Sequence, residues 1–339
     1  MSGQVQQHRA TSILHRLRTK AFSIPADEAT FQKRGFYAST PEVQKHLEKV
    51  GQNFLFGYHA ALDDEPVEDL AGRLCQTDHD FQGFAFEGAA MALSFLDRFS
   101  LGRSRRRIGE FLRGPGAPHV YMIHVGVGWA LARIPWGMRR GVDRLDPLLR
   151  WLAVDGYGFH EGFFHFRRYA GGRKMPRIAS GYWLRAFDQG FGRSLWFVMG
   201  ASATKIAENI AAFDDSRRPD LWSGVGLAAT YAGGGDEGNL LALRSLCAGY
   251  LPHTGQGAAF AVKARLRAGN PTDRMRLACE TLCGMSASEA DALVDSAMEN
   301  LPYGEMIPGY EIWRRRIQSQ IRTEIGVGIG ASDTEENAP

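Results

Sequence analysis

Strand patterning is almost missing from this chain of 339 residues: period-two alternation between turn signals is nearly absent. That argues against sandwiches, barrels and doubly wound sheets. Cysteine is scarce, with only Cys75, Cys247, Cys279 and Cys283, too few to staple a chain of this size. Cys279 and Cys283, four apart on one expected helix face, read as buried thiols; no second pair completes a zinc site. An excess of one charge is also lacking: 40 basic residues face 37 acidic ones, for a net charge of +3. A nucleic-acid partner is therefore not expected. No apolar run reaches the roughly 20 residues of a bilayer span; the longest uncharged stretch, 115–132, contains His119 and His124 and ends at Arg133. Residues 8–20 lack the apolar centre and cleavage site of a signal peptide. Residues 1–20 read as a flexible basic arm, residues 329–339 as a disordered tail, and the chain is expected in the cytoplasm.

Familiar catalytic signatures are missing too. The glycines do not follow strands, so HVGVGWALA and DQGFGRSL are not dinucleotide fingerprints. GGGDEG lacks the Lys-Ser/Thr of a phosphate loop, and no G-x-S-x-G elbow occurs. His160 and His165 are five apart, not the four of a zinc-protease helix. The pairs Asp63-Asp64 and Asp214-Asp215 lack the third carboxylate of a diphosphate–magnesium cluster. No metal site and no cofactor is assigned.

What the chain does have is glycine, 40 residues or about 12%, against roughly 7% on average, set in helical periodicity. Ser39-Thr40-Pro41 is a helix-start signal for the segment 40–62. Seven segments place a glycine in a similar apolar frame, at Gly57, Gly88, Gly128, Gly162, Gly192, Gly226 and Gly257. The steps are 31, 40, 34, 30, 34 and 31 residues by subtraction. A period of about 33 residues holds two short helices and two loops. Glycine allows close approach of another helix, so the motif helices are expected to be inner. The more charged stretches 143–153, 201–212 and 237–248 are expected to be outer. The expected fold is all-α: one domain over residues 21–328 of repeated helical hairpins, toroid-like or solenoid-like.

Within this apolar frame, polar residues recur: Glu87, His124, His160, Glu161, Asp188, Gln189, Arg193, Ser223 and Gln256. They are expected in the first turns of inner helices, facing a shared surface. Buried without partners, each would cost about 1–3 kcal/mol, so each pairs, binds water or meets a ligand. The densest stretch, 155–169, holds Asp155, His160, Glu161 and His165. Glu161 and His165 are four apart and share a helix face. The catalytic candidates are His160, Glu161, Glu87 and Asp188, as acid–base groups. The candidates for holding a substrate are His124, Trp129, Tyr157, His165, Arg193, Trp196, Trp222 and Gln256. Asp188 and Arg193 form one candidate buried pair. The runs Arg103–Arg107 and Arg314–Arg316 read as solvated helix faces or docking patches.

The blocks FAFEGAAMALSFLD, HVGVGWALARIP, DGYGFHEGFF, DQGFGRSLWF and DLWSGVGLAATYAGG, with RTKAFSIPADEATFQKRGF and YEIWRRRIQ, resemble the UnbL-type proteins over roughly residues 12–320. These bacterial proteins are of uncharacterised function and accompany enediyne polyketide synthases. The resemblance implies antibiotic biosynthesis: an accessory or tailoring protein acting on a hydrophobic polyene-derived intermediate, with other enediyne biosynthesis proteins as partners. The alternative is a non-catalytic helical-repeat scaffold or sequestration protein.

Overall fold

A computed structural model describes residues 22–100, 106–134, 138–176, 180–302 and 307–331; side chains beyond Ile321 are not part of the description. Among these residues there are sixteen α-helices and no strand. The expected arm at 1–20 and residues 332–339 of the expected tail lie outside them; residues 329–331 complete the last helix.

Seven helices form the inner row: α2 (Pro41–Leu62), α4 (Gln82–Phe99), α6 (Val120–Arg133), α8 (Arg150–Tyr169), α9 (Tyr182–Val198), α11 (Arg218–Ala232) and α13 (Leu251–Arg267). Each packs along the next. The short α1 (Phe31–Arg34) precedes them. Between them come α3 (Val67–Leu74), α5 (Arg107–Arg113), α7 (Met138–Val142), α10 (Ala203–Ala211), α12 (Glu237–Leu246) and α14 (Asp273–Cys283). The chain ends with α15 (Ala287–Met298) and α16 (Gly309–Ala331). Thr40 caps α2 as its sequence predicts, accepting a hydrogen bond from Val43 N with Pro41 in the first turn. The stretches 201–212 and 237–248 hold the intervening helices α10 and α12. The stretch 143–153 does not: its last residues open α8, whose apolar side is wanted in the core.

The row curls until its ends meet. His46 Nε2 reaches Ala232 O at 2.6 Å, Arg265 bonds Asp80 O at 3.0 Å, and Phe84 stacks edge-on with Tyr231 at 5.2 Å. These contacts tie α2 and α4 to α11 and α13, which favours the toroid over the open solenoid.

Glycine holds the seams, in a frame finer than the sequence suggested. Gly126-x-Gly128, Gly156-x-Gly158, Gly190-x-Gly192 and Gly224-x-Gly226 each use the first glycine against the preceding inner helix and the second against the following one. A methyl group at Gly158 would overlap the carbonyl oxygen of Phe187, and one at Gly190 that of Asp155. Backbones meet here through Cα–H···O contacts and dispersion. Gly162 is outside this frame; it faces the Ser194 hydroxyl. Measured on Gly128, Gly158, Gly192 and Gly226, the steps become 30, 34 and 34 residues, because the fourth repeat had been aligned one turn late.

Two further positions repeat with the seam. The residue before the first glycine is Glu87, Val125, Asp155, Gln189, Ser223 or Gln256. One helical turn later stand Met91, Trp129, Phe159, Arg193, Leu227 and Phe260. Four residues apart, the two positions share a face, and that face looks inward. The polar candidates therefore lie at mid-helix, not in first turns. There the backbone N–H groups are already bonded, so side chains, not helix ends, supply the chemistry.

Candidate functional site

The inward positions enclose an apolar chamber of about 820 Å³, counted out to its mouth. Phe54, Met91, Trp129, Phe159, Phe163 and Phe197 furnish much of its wall. One carboxyl and one guanidinium of the inner row line it, Glu87 and Arg193, with the Tyr231 phenol. Glu87 is 1% exposed and accepts a hydrogen bond from Trp129 Nε1 at 3.0 Å. Burial pushes its carboxyl up to about 7, against the opposing pull of Arg193 and the Trp129 bond. It is thus a proton donor or acceptor near neutral pH. Arg193 is paired with Asp155 across the α8–α9 seam, NH1 to Oδ1 at 2.5 Å, and lies over the Phe159 ring at 4.9 Å. Gln189 Nε2 donates to the other oxygen of Asp155 at 2.8 Å. The Nε of Arg193 is buried without a hydrogen-bond partner.

Beside this chamber lies a polar cleft of about 1000 Å³, lined by Arg34, Arg133, His160, Glu161 and His165. Chamber and cleft share Ile24, Glu28 and Phe164 in their walls. Glu161 accepts from Tyr169 Oη at 2.7 Å and lies 3.3 Å from His160 Nδ1. Burial depresses the His160 pKa despite Glu161. For Glu161 burial works upward, but the bonds from His160 and Tyr169 outweigh it and hold the carboxyl below its ordinary value. With the carboxylate ionised, His160 Nδ1–H donates to it, leaving Nε2 as the basic nitrogen. The helix face expected to carry both Glu161 and His165 is broken, because α8 kinks at His165 (φ −132°, ψ 30°). His165 instead sits with its ring 6.2 Å from that of His160. The Trp129 ring joins the two places, hydrogen-bonded to Glu87 and 5.6 Å from the His160 ring.

The remaining candidates lie elsewhere. Asp188 and Arg193 do not pair: five residues turn a helix by about 140° beyond a full turn, so they face apart. Asp188 is held by Arg217 on the chain entering α11, at 2.5 and 2.8 Å, and burial pushes it up to about 6 despite that partner. Gln256 accepts from Ser223 at 3.0 Å and from Arg314 Nε at 2.9 Å. Trp196 donates to Gly233 O at 2.8 Å, Tyr157 packs on Phe187, and Trp222 stacks with Tyr250. His124 Nδ1 bonds Val120 O at 2.7 Å and its Nε2 is buried without a partner.

The basic runs are free faces only in part: Arg106 and Arg315 are exposed, but Arg107 and Arg314 are not. Arg314 is fully buried, bonded to Asp220 at 2.7 Å. Arg107 is clasped by Asp64 and Asp97, and Arg73 by Asp63; Arg103 and Arg105 lie outside the described residues. Cys279 and Cys283 are buried as expected, their thiols on the carbonyls of Met285 and Gly255. Among the described residues no group of three His, Cys, Asp or Glu side chains could hold a metal, and no helix is long and apolar enough to cross a membrane. Sequence reasoning missed Tyr231, which lines the chamber, and placed Arg314 on a surface run although it is buried. Only the corrected seam frame reveals Arg193 as a cation in an otherwise apolar position.

Residues 13–321 match the family described as Protein of unknown function (DUF1702), and the chain belongs to it. No curated protein and no solved structure matches it.

Proposed function

We propose that this protein binds a hydrophobic polyene-derived intermediate in the aromatic chamber and transforms it by acid–base chemistry. The observation that carries the reading is Glu87: a buried carboxyl near pH 7 in a wall of aromatic rings. Such a group can protonate a conjugated chain, and the faces of Phe54, Trp129 and Phe159 would stabilise the positive charge that results. His160, which lines the polar cleft, is the base of this scheme, with Glu161 against its Nδ1 and Tyr169 holding Glu161. A cytoplasmic place in enediyne or other polyketide antibiotic biosynthesis is part of the proposal and rests on the sequence resemblance alone. The scaffold alternative loses support from Arg107 and Arg314, both committed to internal ion pairs.

The test is to purify the protein from cells that make the intermediate and examine extracted small molecules by mass spectrometry and absorbance. A polyene chromophore is expected with the wild-type chain and not with Ala228→Trp, which fills the chamber. Glu87→Gln should retain the ligand unconverted. Absence of any ligand, together with failure to bind diphenylhexatriene, would refute the reading; unaltered product from Glu87→Gln and from His160→Ala, Glu161→Ala would remove its catalytic part.

A further inference from the structure

A second apolar cavity, of about 450 Å³ counted out to its mouth, also borders Arg193. Tyr121, Leu152, Leu227, Phe260 and Trp313 are among its walls, and Lys263 and Ala264 also border it. The two cavities have two residues in common, Arg193 and Tyr231. Neither is a passive partition. Tyr231 is pinned by Phe84 on its edge and by the Arg265 guanidinium 4.4 Å from its ring centre. Arg193 occupies the inward position that the other glycine-framed helices fill with Met91, Trp129, Phe159, Leu227 and Phe260. An arginine in an apolar series is costly to bury. Asp155 balances its charge, yet Nε is buried without a partner in a residue that borders both apolar spaces.

Resting on the chamber reading above, we propose that the two cavities are halves of one binding tunnel for a linear, extended molecule, and that Arg193 takes an oxygen atom placed part-way along that molecule. The ligand class is a long unbranched chain with an internal carbonyl. A pure hydrocarbon would leave the Arg193 donor unsatisfied, and a terminal carboxylate would have to bury its charge in the middle of the tunnel with one half empty. A neutral carbonyl suits a guanidinium whose charge Asp155 already balances. One half of the chain then lies along Trp129 and Phe159, the other along Leu227 and Phe260.

Fluorescence of diphenylhexatriene, displaced by linear ketones of one chain length, tests this. The carbonyl is moved carbon by carbon from near the end to the middle. Affinity should peak sharply at one internal position, by about tenfold over the end position, the value of a hydrogen bond to a charged group. Arg193→Met combined with Asp155→Asn removes both charges together and should flatten the profile without weakening binding of the saturated hydrocarbon. Ala264→Phe, which fills the second cavity, should exclude the longest ketones and spare the short ones. A flat profile in the wild type, or a peak that survives the double substitution, overturns the proposal even if the variants prove unstable and only the first arm can be run. If diphenylhexatriene itself does not bind, the chamber reading fails, a distinct outcome.

Discussion

Two buried charge groups of this molecule differ in how their carboxyls are paired. Around α16, Arg314 bonds Asp220, Glu311, Tyr182 and Gln256, while Arg185 closes the other sides of Asp220 and Glu311. Burial alone would raise both carboxyls; the arginines outweigh it and hold them below the ordinary range. At the chamber, Glu87 has one bond from Trp129 and remains raised, and Arg193 keeps a donor unused. The first group leaves Arg314 Nη2 without a partner but pairs both of its carboxylates with arginines, and it acts as a lock between α9, α11 and α16. The second is left short beside open apolar space, where a ligand can complete it. Burial and one unpartnered guanidinium nitrogen are common to both; the raised carboxyl beside a cavity sets the second apart and is what the proposed chemistry draws on.

The sharpest way to break this contrast is Arg314→Met. It strands Asp220 and Glu311 in the interior and should cost about 3–5 kcal/mol in urea unfolding; a loss under about 1 kcal/mol would show that the lock is not structural. Next comes Glu87→Gln, read as thermal stability against pH. The folded wild type keeps Glu87 protonated up to about 7, the unfolded chain only to its ordinary 4.5. Between those values the folded state holds the extra proton, so this residue's contribution to stability falls as pH rises through the window and is level above it. The change is on the order of 3 kcal/mol. The glutamine variant should match the wild type at the acid end and exceed it at neutral pH; a constant difference would mean Glu87 is not raised. The smallest effects probe how the site is held. Gly190→Ala drives a methyl into the Asp155 carbonyl and should cost about 1–3 kcal/mol. Gly72→Ala, in α3 with open space around it, should gain about 0.5–1 kcal/mol. Equal effects in chemical denaturation would refute the seam description.

Much of the scaffold was readable from residue order, because its signals are local. Thr40-Pro41 marks a helix start whatever surrounds it, and a glycine-rich apolar frame near 33 residues announces paired helices. The site was readable only as a set of residue types. Glu87, His160, Glu161 and Arg193 were singled out, but Asp188 was matched with the wrong arginine and Gln256 was placed with groups it does not meet. Arg314, on which the lock depends, resembled a solvated basic run.

Composition and periodicity thus determined that the chain is all-α, that glycines join its helices, and that polar side chains interrupt apolar faces. Folding decided which of those side chains meet. Asp155 reaches Arg193 across 38 positions and Arg314 reaches Asp220 across 94. Such pairings depend on where each seam sets the rotation of a helix, and a shift of one residue turns a side chain by about 100°. Whether a buried charge is saturated or left open to a cavity is settled by that rotation.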